Sequence, residues 1–144
     1  MKIVIKGAGD LATGVAWELF RAGHRIIMTE IAVPLTVRRQ VAYSRAVYER
    51  RAEVEGVTGV LAGSAEEAIA LSEQGVISVL VDPEARVRKI WQPEVVIDAI
   101  MAKNNIGTML TDAPLVLALG PGFRAGTDCH AVIETMRGEA LGRP

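Results

Sequence analysis

Short, near-continuous apolar runs alternate along the chain with longer stretches whose apolar positions recur at helical spacing. The runs fall at residues 3–5, 26–28, 76–81, 95–100 and 115–119. They do not alternate apolar with polar, so they predict strands buried on both faces, as in a parallel sheet covered by helices. Between the first two runs, Ala16, Leu19 and Phe20 share a helical face with Val15 close by, and Gly23 is placed to end the helix. A second helix is predicted over residues 35–51, with Arg38, Arg39, Arg45, Glu49 and Arg50 on its polar face. A third is predicted over residues 65–74, with Ser64 as cap, Glu66 and Glu67 in the first turn and Gly75 after the end. Strands alternating with helices imply βαβ units with right-handed crossovers. The expected class is therefore α/β, a Rossmann-like, doubly wound and mostly parallel sheet. Residues 53–63, broken by Gly56, Gly59 and Gly63, read as a strand with a loop. Beyond Val95, strand-like runs follow one another through glycine- and proline-containing links, which makes the C-terminal part strand-rich.

The 144 residues, half of them hydrophobic, suffice for one domain with a sizeable core. No repeat, low-complexity tract or linker divides residues 1–144. The chain closes on Ala140-Leu141-Gly142-Arg143-Pro144 without a clear finishing element, as a fragment of something longer would. Sixteen basic and 17 acidic side chains nearly cancel, so no long-range field favours nucleic acid or an anionic membrane as partner. Aromatic residues, at 4%, are too few for base-stacking platforms. Cys129 is the lone cysteine, which leaves no intramolecular disulfide. With two histidines, one chain cannot build a zinc site from Cys and His alone, and no metal site is expected. This cysteine usage suits the reducing cytoplasm. The N-terminal apolar stretch, broken by Lys6 and glycines, is too short for a signal peptide. No stretch approaches the roughly 20 apolar residues of a membrane span.

The strongest chemical signal is the first βα unit, where a strand runs into Gly7-Ala8-Gly9-Asp10-Leu11-Ala12 and then a helix. This is the G-x-G-x-x-A form of the dinucleotide fingerprint. Gly7 permits the tight turn, Gly9 lets backbone approach a pyrophosphate, and Ala12 lets the helix pack closely on the strand. The helix start adds free amides and a favourable dipole. Thr13 is positioned to donate a hydroxyl to phosphate. Asp10 must turn its carboxylate away from phosphate or pair with a cation. Glu30, at the end of the second strand and about 20 residues after the glycines, can accept from an adenine ribose and repel a 2′-phosphate, which favours NAD-like over NADP-like ligands. The bland reading of the same residues is a tight turn and a solvated strand end.

In doubly wound sheets, ligands sit beyond the carboxyl ends of strands. On that rule Asp98, Lys103 and the loop Gly120-Pro121-Gly122 are candidates for the opposite wall, although the loop can equally be a plain turn, and Asp82-Pro83 reads as a turn. Cys129 and His130 are adjacent and would face opposite sides of a strand, which argues against a nucleophile pair. Asp128 and His130 would share a face, open to acid–base or metal work, but a half-buried structural histidine is the favoured reading. Trp17 and Trp91 read as packing residues.

The run from Ile5 to Gly14 (Ile5-Lys6-Gly7-Ala8-Gly9-Asp10-Leu11-Ala12-Thr13-Gly14) and the run Leu119-Gly120-Pro121-Gly122-Phe123-Arg124-Ala125-Gly126-Thr127-Asp128-Cys129-His130, continuing through Thr135, together resemble the YqeB family. Glu30-Ile31-Ala32-Val33-Pro34 and Val96-Ile97-Asp98-Ala99-Ile100-Met101-Ala102-Lys103 match its style. That family is associated with selenium-dependent molybdenum hydroxylases and related to the XdhC/CoxI accessory proteins. The resemblance implies an accessory role in maturing a molybdenum enzyme, the client, by handling its pterin cofactor. Molybdopterin cytosine dinucleotide is itself a dinucleotide, so a Rossmann-like crevice is a fitting holder. Two departures stand out: the family usually runs on past this C-terminus, and Glu139 stands where it tends to have a histidine after Arg137-Gly138.

Three functional readings follow. The first is an accessory protein that holds a pterin or nicotinamide dinucleotide at Gly7, Ala8, Gly9, Asp10, Leu11, Ala12, Thr13 and Glu30, with Asp98, Gly120, Pro121 and Gly122 opposite. The second is an NAD-dependent oxidoreductase with Lys103, Asp112 or His130 as proton donor, its substrate site completed by a homo-oligomer. The third is a nucleotide-sensing domain without chemistry. Fold alone does not choose among them.

Overall fold

A computed structural model describes residues 1–32, 42–102 and 104–133. Among the described residues, eight strands form one sheet in the order β3-β4-β5-β2-β1-β6-β7-β8. They are β1 (Lys2–Lys6), β2 (Arg25–Glu30), β3 (Arg51–Val54), β4 (Val57–Ala62), β5 (Ile77–Val81), β6 (Val95–Asp98), β7 (Leu115–Leu119) and β8 (Ala131–Ile133). Every neighbouring pair is parallel except β3 with β4. The architecture is Rossmann-like α/β, and strand-rich after β6 as the sequence predicted.

Successive strand residues point to opposite faces, which explains the near-continuous apolar runs. On one face Ile3, Ile5, Ile26, Met28, Ile97 and their neighbours meet Ala12 and Ala16 of α1 (Asp10–Arg21). On the other, Val4, Ile27, Leu80, Val96 and Val116 meet Ala68 of α3 (Ala65–Leu71) and Val87 and Trp91 of α4 (Val87–Trp91). α3 begins as expected: the Ser64 hydroxyl accepts from the Glu67 amide at 3.1 Å, and the Glu67 carboxylate accepts from the Gly63 amide at 2.9 Å. The short α4 has no strong periodicity of its own. It is started by Asp82, whose carboxylate accepts from the Val87 amide at 2.9 Å.

The expected helix over 35–51 is corrected in its second half, while residues 33–41, with Arg38 and Arg39, lie outside the described residues. A 3-10 turn at Tyr43–Arg45 leads into a single helical turn, α2 (Ala46–Glu49). Arg50 then takes a left-handed backbone (φ 69°), and β3 starts at Arg51. The cause lies downstream. Glu55 and Gly56 both have positive φ (46° and 85°), the conformation of a two-residue hairpin turn, and it pairs residues 51–54 with β4. Cross-strand hydrogen bonding to β4 overrides the weak helical spacing. The segment 53–63 is thus mostly strand.

Tyr43 ties this hairpin to the first βα unit. It is fully buried, its ring lies where a Cβ on Gly59 would come within 2.6 Å, and its hydroxyl donates to the Val57 carbonyl at 2.9 Å. Burial also pushes its phenol well above the ordinary tyrosine range. Tyr43→Phe removes the hydrogen bond to the Val57 carbonyl, which keeps its cross-strand partner across the hairpin, and should cost about 1 kcal/mol. Chemical denaturation should show this as a lower midpoint at unchanged m-value.

Candidate functional site

The chain steps from β1 outward to β2, returns through β4 and β5, and crosses to β6 on the far side of β1. The strand order therefore reverses between β1 and β6, where such sheets hold ligands. There the structure has a cleft of about 550 Å³, within the roughly 300–1,000 Å³ of small-ligand sites. Its lining comes from the glycine loop and helix start (Gly7, Gly9, Asp10, Leu11, Ala12), the end of β2 (Thr29, Glu30, Ile31), Pro83, and the segment after β6 (Ala99, Ile100, Met101, Ala102).

The two glycines of the loop serve different ends. Gly7 has φ +102°, a Cβ on it would stand 2.9 Å from the Ala99 carbonyl oxygen, and its amide donates to the Thr29 carbonyl at 2.7 Å. The fold requires glycine there. Gly9 has an extended backbone (φ −76°, ψ −166°) that any residue adopts, and a Cβ on it would meet nothing within 4 Å. Gly9 is among the residues that line the cleft. It is also the N-cap of α1, and no side chain there accepts from the first-turn amides.

Ala8 is buried behind the loop, and its amide donates to one Glu30 carboxylate oxygen at 2.9 Å. The other oxygen accepts from the Ile31 amide at 2.9 Å. Two backbone donors thus orient the carboxylate at the cleft rim, with lone pairs remaining on each oxygen. Asp10 is exposed at the mouth.

Several expected site residues are placed elsewhere. The buried Thr13 hydroxyl donates to the Ala8 carbonyl at 3.3 Å and accepts from the Tyr43 amide at 2.9 Å, so it braces the loop rather than offering a donor to phosphate. Asp98 ends β6 but does not line the cleft: one carboxylate oxygen, Oδ2, accepts from the Thr108 hydroxyl. Its other oxygen accepts from the Ile100 amide at 3.1 Å, and this local bond stops the strand two residues short of the predicted end. Gly120, Pro121 and Gly122 follow β7, one strand further out, and do not line the cleft either. Gly120 touches it indirectly: a Cβ there would meet the Met101 sulfur at 3.1 Å.

The proposed proton donors are also accounted for. Lys103 lies outside the described residues, as do Arg137, Gly138 and Glu139. Asp112 pairs with Arg88 at 3.2 Å and accepts from the Met109 amide at 2.9 Å. His130 is exposed rather than half-buried, but its role is structural: Nδ1 accepts from the Val116 amide at 2.8 Å. Asp128 accepts from the Arg124 amide, so Asp128 and His130 each serve a backbone group instead of each other. Thr29, Ile31, Pro83 and residues 99–102 were not anticipated. They carry no motif and are recruited only by strand order.

No family model matches the chain, and no solved structure matches it. Over 141 residues it is 51% identical to a protein of Escherichia coli (strain K12) named "Uncharacterized protein YqeB". The match covers 98% of this chain and 26% of that protein, so the chain spans about a quarter of its relative's length. At that identity the chain is a homologue of part of YqeB along nearly all of its own length.

Proposed function

We propose that this chain is a cytoplasmic dinucleotide-holding domain that serves the maturation of a selenium-dependent molybdenum hydroxylase, with a pterin or nicotinamide dinucleotide in the cleft between β1 and β6. The observation that carries the reading is Gly9. Neither its backbone nor its protein neighbours need a glycine, and it lines the cleft together with Leu11 and Ala12 of the first helical turn. A pyrophosphate is the anion such a cradle suits. Glu30, oriented by two amides, accepts from ribose hydroxyls. Ile31, Pro83, Ile100 and Met101 give the ends of the cleft apolar surface against which a ring system can lie. The molybdopterin dinucleotide has both features, a pyrophosphate and a flat ring at its end, and the residues present fit it.

Of the three proton-donor candidates, Asp112 and His130 are committed to partners away from the cleft, which supports holding over turnover through either of them.

The test is titration calorimetry of the purified chain with NAD+, NADH, NADP+, FAD, CTP and molybdopterin cytosine dinucleotide, repeated on Glu30→Ala. Tightest binding is expected for the pterin dinucleotide. NADH, NAD+ and the pterin dinucleotide should each bind the variant about tenfold more weakly, the equivalent of one charge-assisted hydrogen bond. Silence toward all six ligands would end the reading.

A further inference from the structure

Lys6 and Asp98 are register partners on β1 and β6, directly ahead of Gly7 and Ala99. Their side chains turn to the same face and meet Thr108. The Lys6 ammonium donates to the Thr108 hydroxyl at 2.6 Å, and that hydroxyl donates to Asp98 Oδ2 at 2.5 Å. The ammonium itself stands 4.0 Å from the carboxylate. All three residues are nearly sealed from water, at 4, 1 and 2% exposure for Lys6, Asp98 and Thr108. Asn105 brackets the Thr108 backbone from both sides, accepting from its amide and donating to its carbonyl, each at 2.8 Å.

A buried ion pair is a poor source of stability, since apolar replacements of similar volume often do as well. What this one contributes is placement. The connection that leaves β6 at Asp98 returns to Asp98 at Thr108. Its first residues, Ala99 to Ala102, form one wall of the cleft, and Met101 among them holds a left-handed backbone (φ 64°) that needs external support. The Ala99 carbonyl is also the group that abuts Gly7. One hydroxyl therefore joins the strand that carries the glycine loop to the connection that carries the opposite wall.

We propose that Thr108 is a positioning residue for the cleft: by bridging Lys6 and Asp98 it clasps the connection after β6 at its base and sets the wall at 99–102 against the glycine loop. The effect on affinity rests on the reading of the cleft as a ligand site, whereas the effect on the wall does not.

Three variants test it: Thr108→Val removes the hydroxyl at constant shape, Thr108→Ser restores it, and Asn105→Ala loosens the bracket without disturbing the buried charges. The readouts are thermal midpoint, the dissociation constant for NADH, and amide hydrogen exchange at 99–102 with β5 as internal control. Thr108→Val should weaken NADH binding by about tenfold, as expected for loss of preorganisation. It should also speed exchange at 99–102 but not in β5. The serine should recover both, and Asn105→Ala should shift both in the same direction by less, which keeps the test alive if the valine variant does not fold. A lowered midpoint with unchanged affinity and unchanged exchange at 99–102 would make Thr108 merely structural and overturn the proposal. If wild-type protein binds no NADH, the exchange readings alone decide: selective acceleration with serine rescue upholds the clasp, and uniform or absent acceleration refutes it.

Discussion

Gly9→Val is expected to weaken dinucleotide binding by at least about 100-fold while barely moving the thermal midpoint, because the lost contact is with ligand and not with protein. Valine is comfortable in the extended conformation found at Gly9, and its Cβ meets no protein atom within 4 Å. The branched side chain would instead stand in the space a pyrophosphate must enter to reach the Leu11 and Ala12 amides. Gly7→Ala is the natural contrast. There the backbone is left-handed at φ +102° and the new methyl would lie 2.9 Å from a backbone oxygen that cannot swing away. The cost should be about 2–4 kcal/mol, a fall of roughly 10 °C in midpoint for a domain of this size. Calorimetry and thermal unfolding of the two variants separate a glycine kept for the ligand from one kept for the fold. Intact binding by a folded Gly9→Val protein would remove the pyrophosphate from this cleft.

The second large effect concerns stability. Asp98→Ala leaves the Lys6 ammonium buried without its nearest counter-charge and the Thr108 hydroxyl without its acceptor. Removing one partner of a buried pair typically costs about 3–5 kcal/mol. Replacing both members, as in the Lys6→Met, Asp98→Leu protein, should recover much of that loss, and a double-mutant cycle measures how much. The pH dependence has a definite sign. Burial holds the Lys6 amine below its ordinary 10.5, with the Asp98 and Asp112 carboxylates opposing the shift and Arg88 adding slightly to it. Between the lowered value and 10.5 the unfolded chain binds more protons than the folded one, so stability rises with pH across that window. Without Asp98 the amine falls further and the window extends to lower pH. The variant should therefore regain stability on alkalinisation more than wild type does. Denaturation should be followed below pH 9.0, the ordinary cysteine value, because above it the Cys129 thiol, pushed up by burial and by Asp128, acts in the opposite sense, as Tyr43 does above 10.0. A deficit that stays constant with pH would mean that Asp98 does not set the protonation of Lys6 in the native protein.

The first βα unit was legible because its signals are local. A buried run, a glycine pair and a helix face within some 20 residues specify strand, turn and helix with little help from elsewhere. Glu30 was found by the same kind of spacing, yet its engagement with the Ala8 and Ile31 amides follows from the packing of β2 beside β1. The helix expected at 35–51 failed beyond Glu49 because β4, a non-local partner, outcompeted a weak helical period. Thr13 looked like a ligand donor because nothing near it in sequence reveals that Tyr43, 30 residues on, would occupy its hydroxyl. Asp98 and Gly120 were expected at the cleft on the general rule for strand ends. The rule fixes which end of the sheet is used, but not which side a side chain leaves or how many strands separate a loop from the switch point.

By itself, then, the amino-acid sequence determined the class of fold, the strands of the central sheet, the place of the glycine loop and the acid that faces it. These rest on short-range periodicity, capping and turn chemistry, which each segment carries within itself. Only the tertiary structure decided that residues 99–102 and Pro83 complete the cleft, that Thr13 belongs to the scaffold, and that Lys6, Asp98 and Thr108 form one buried network. Those outcomes depend on strand order and register. Both are set by how all the apolar faces bury together, and no single stretch of chain encodes that.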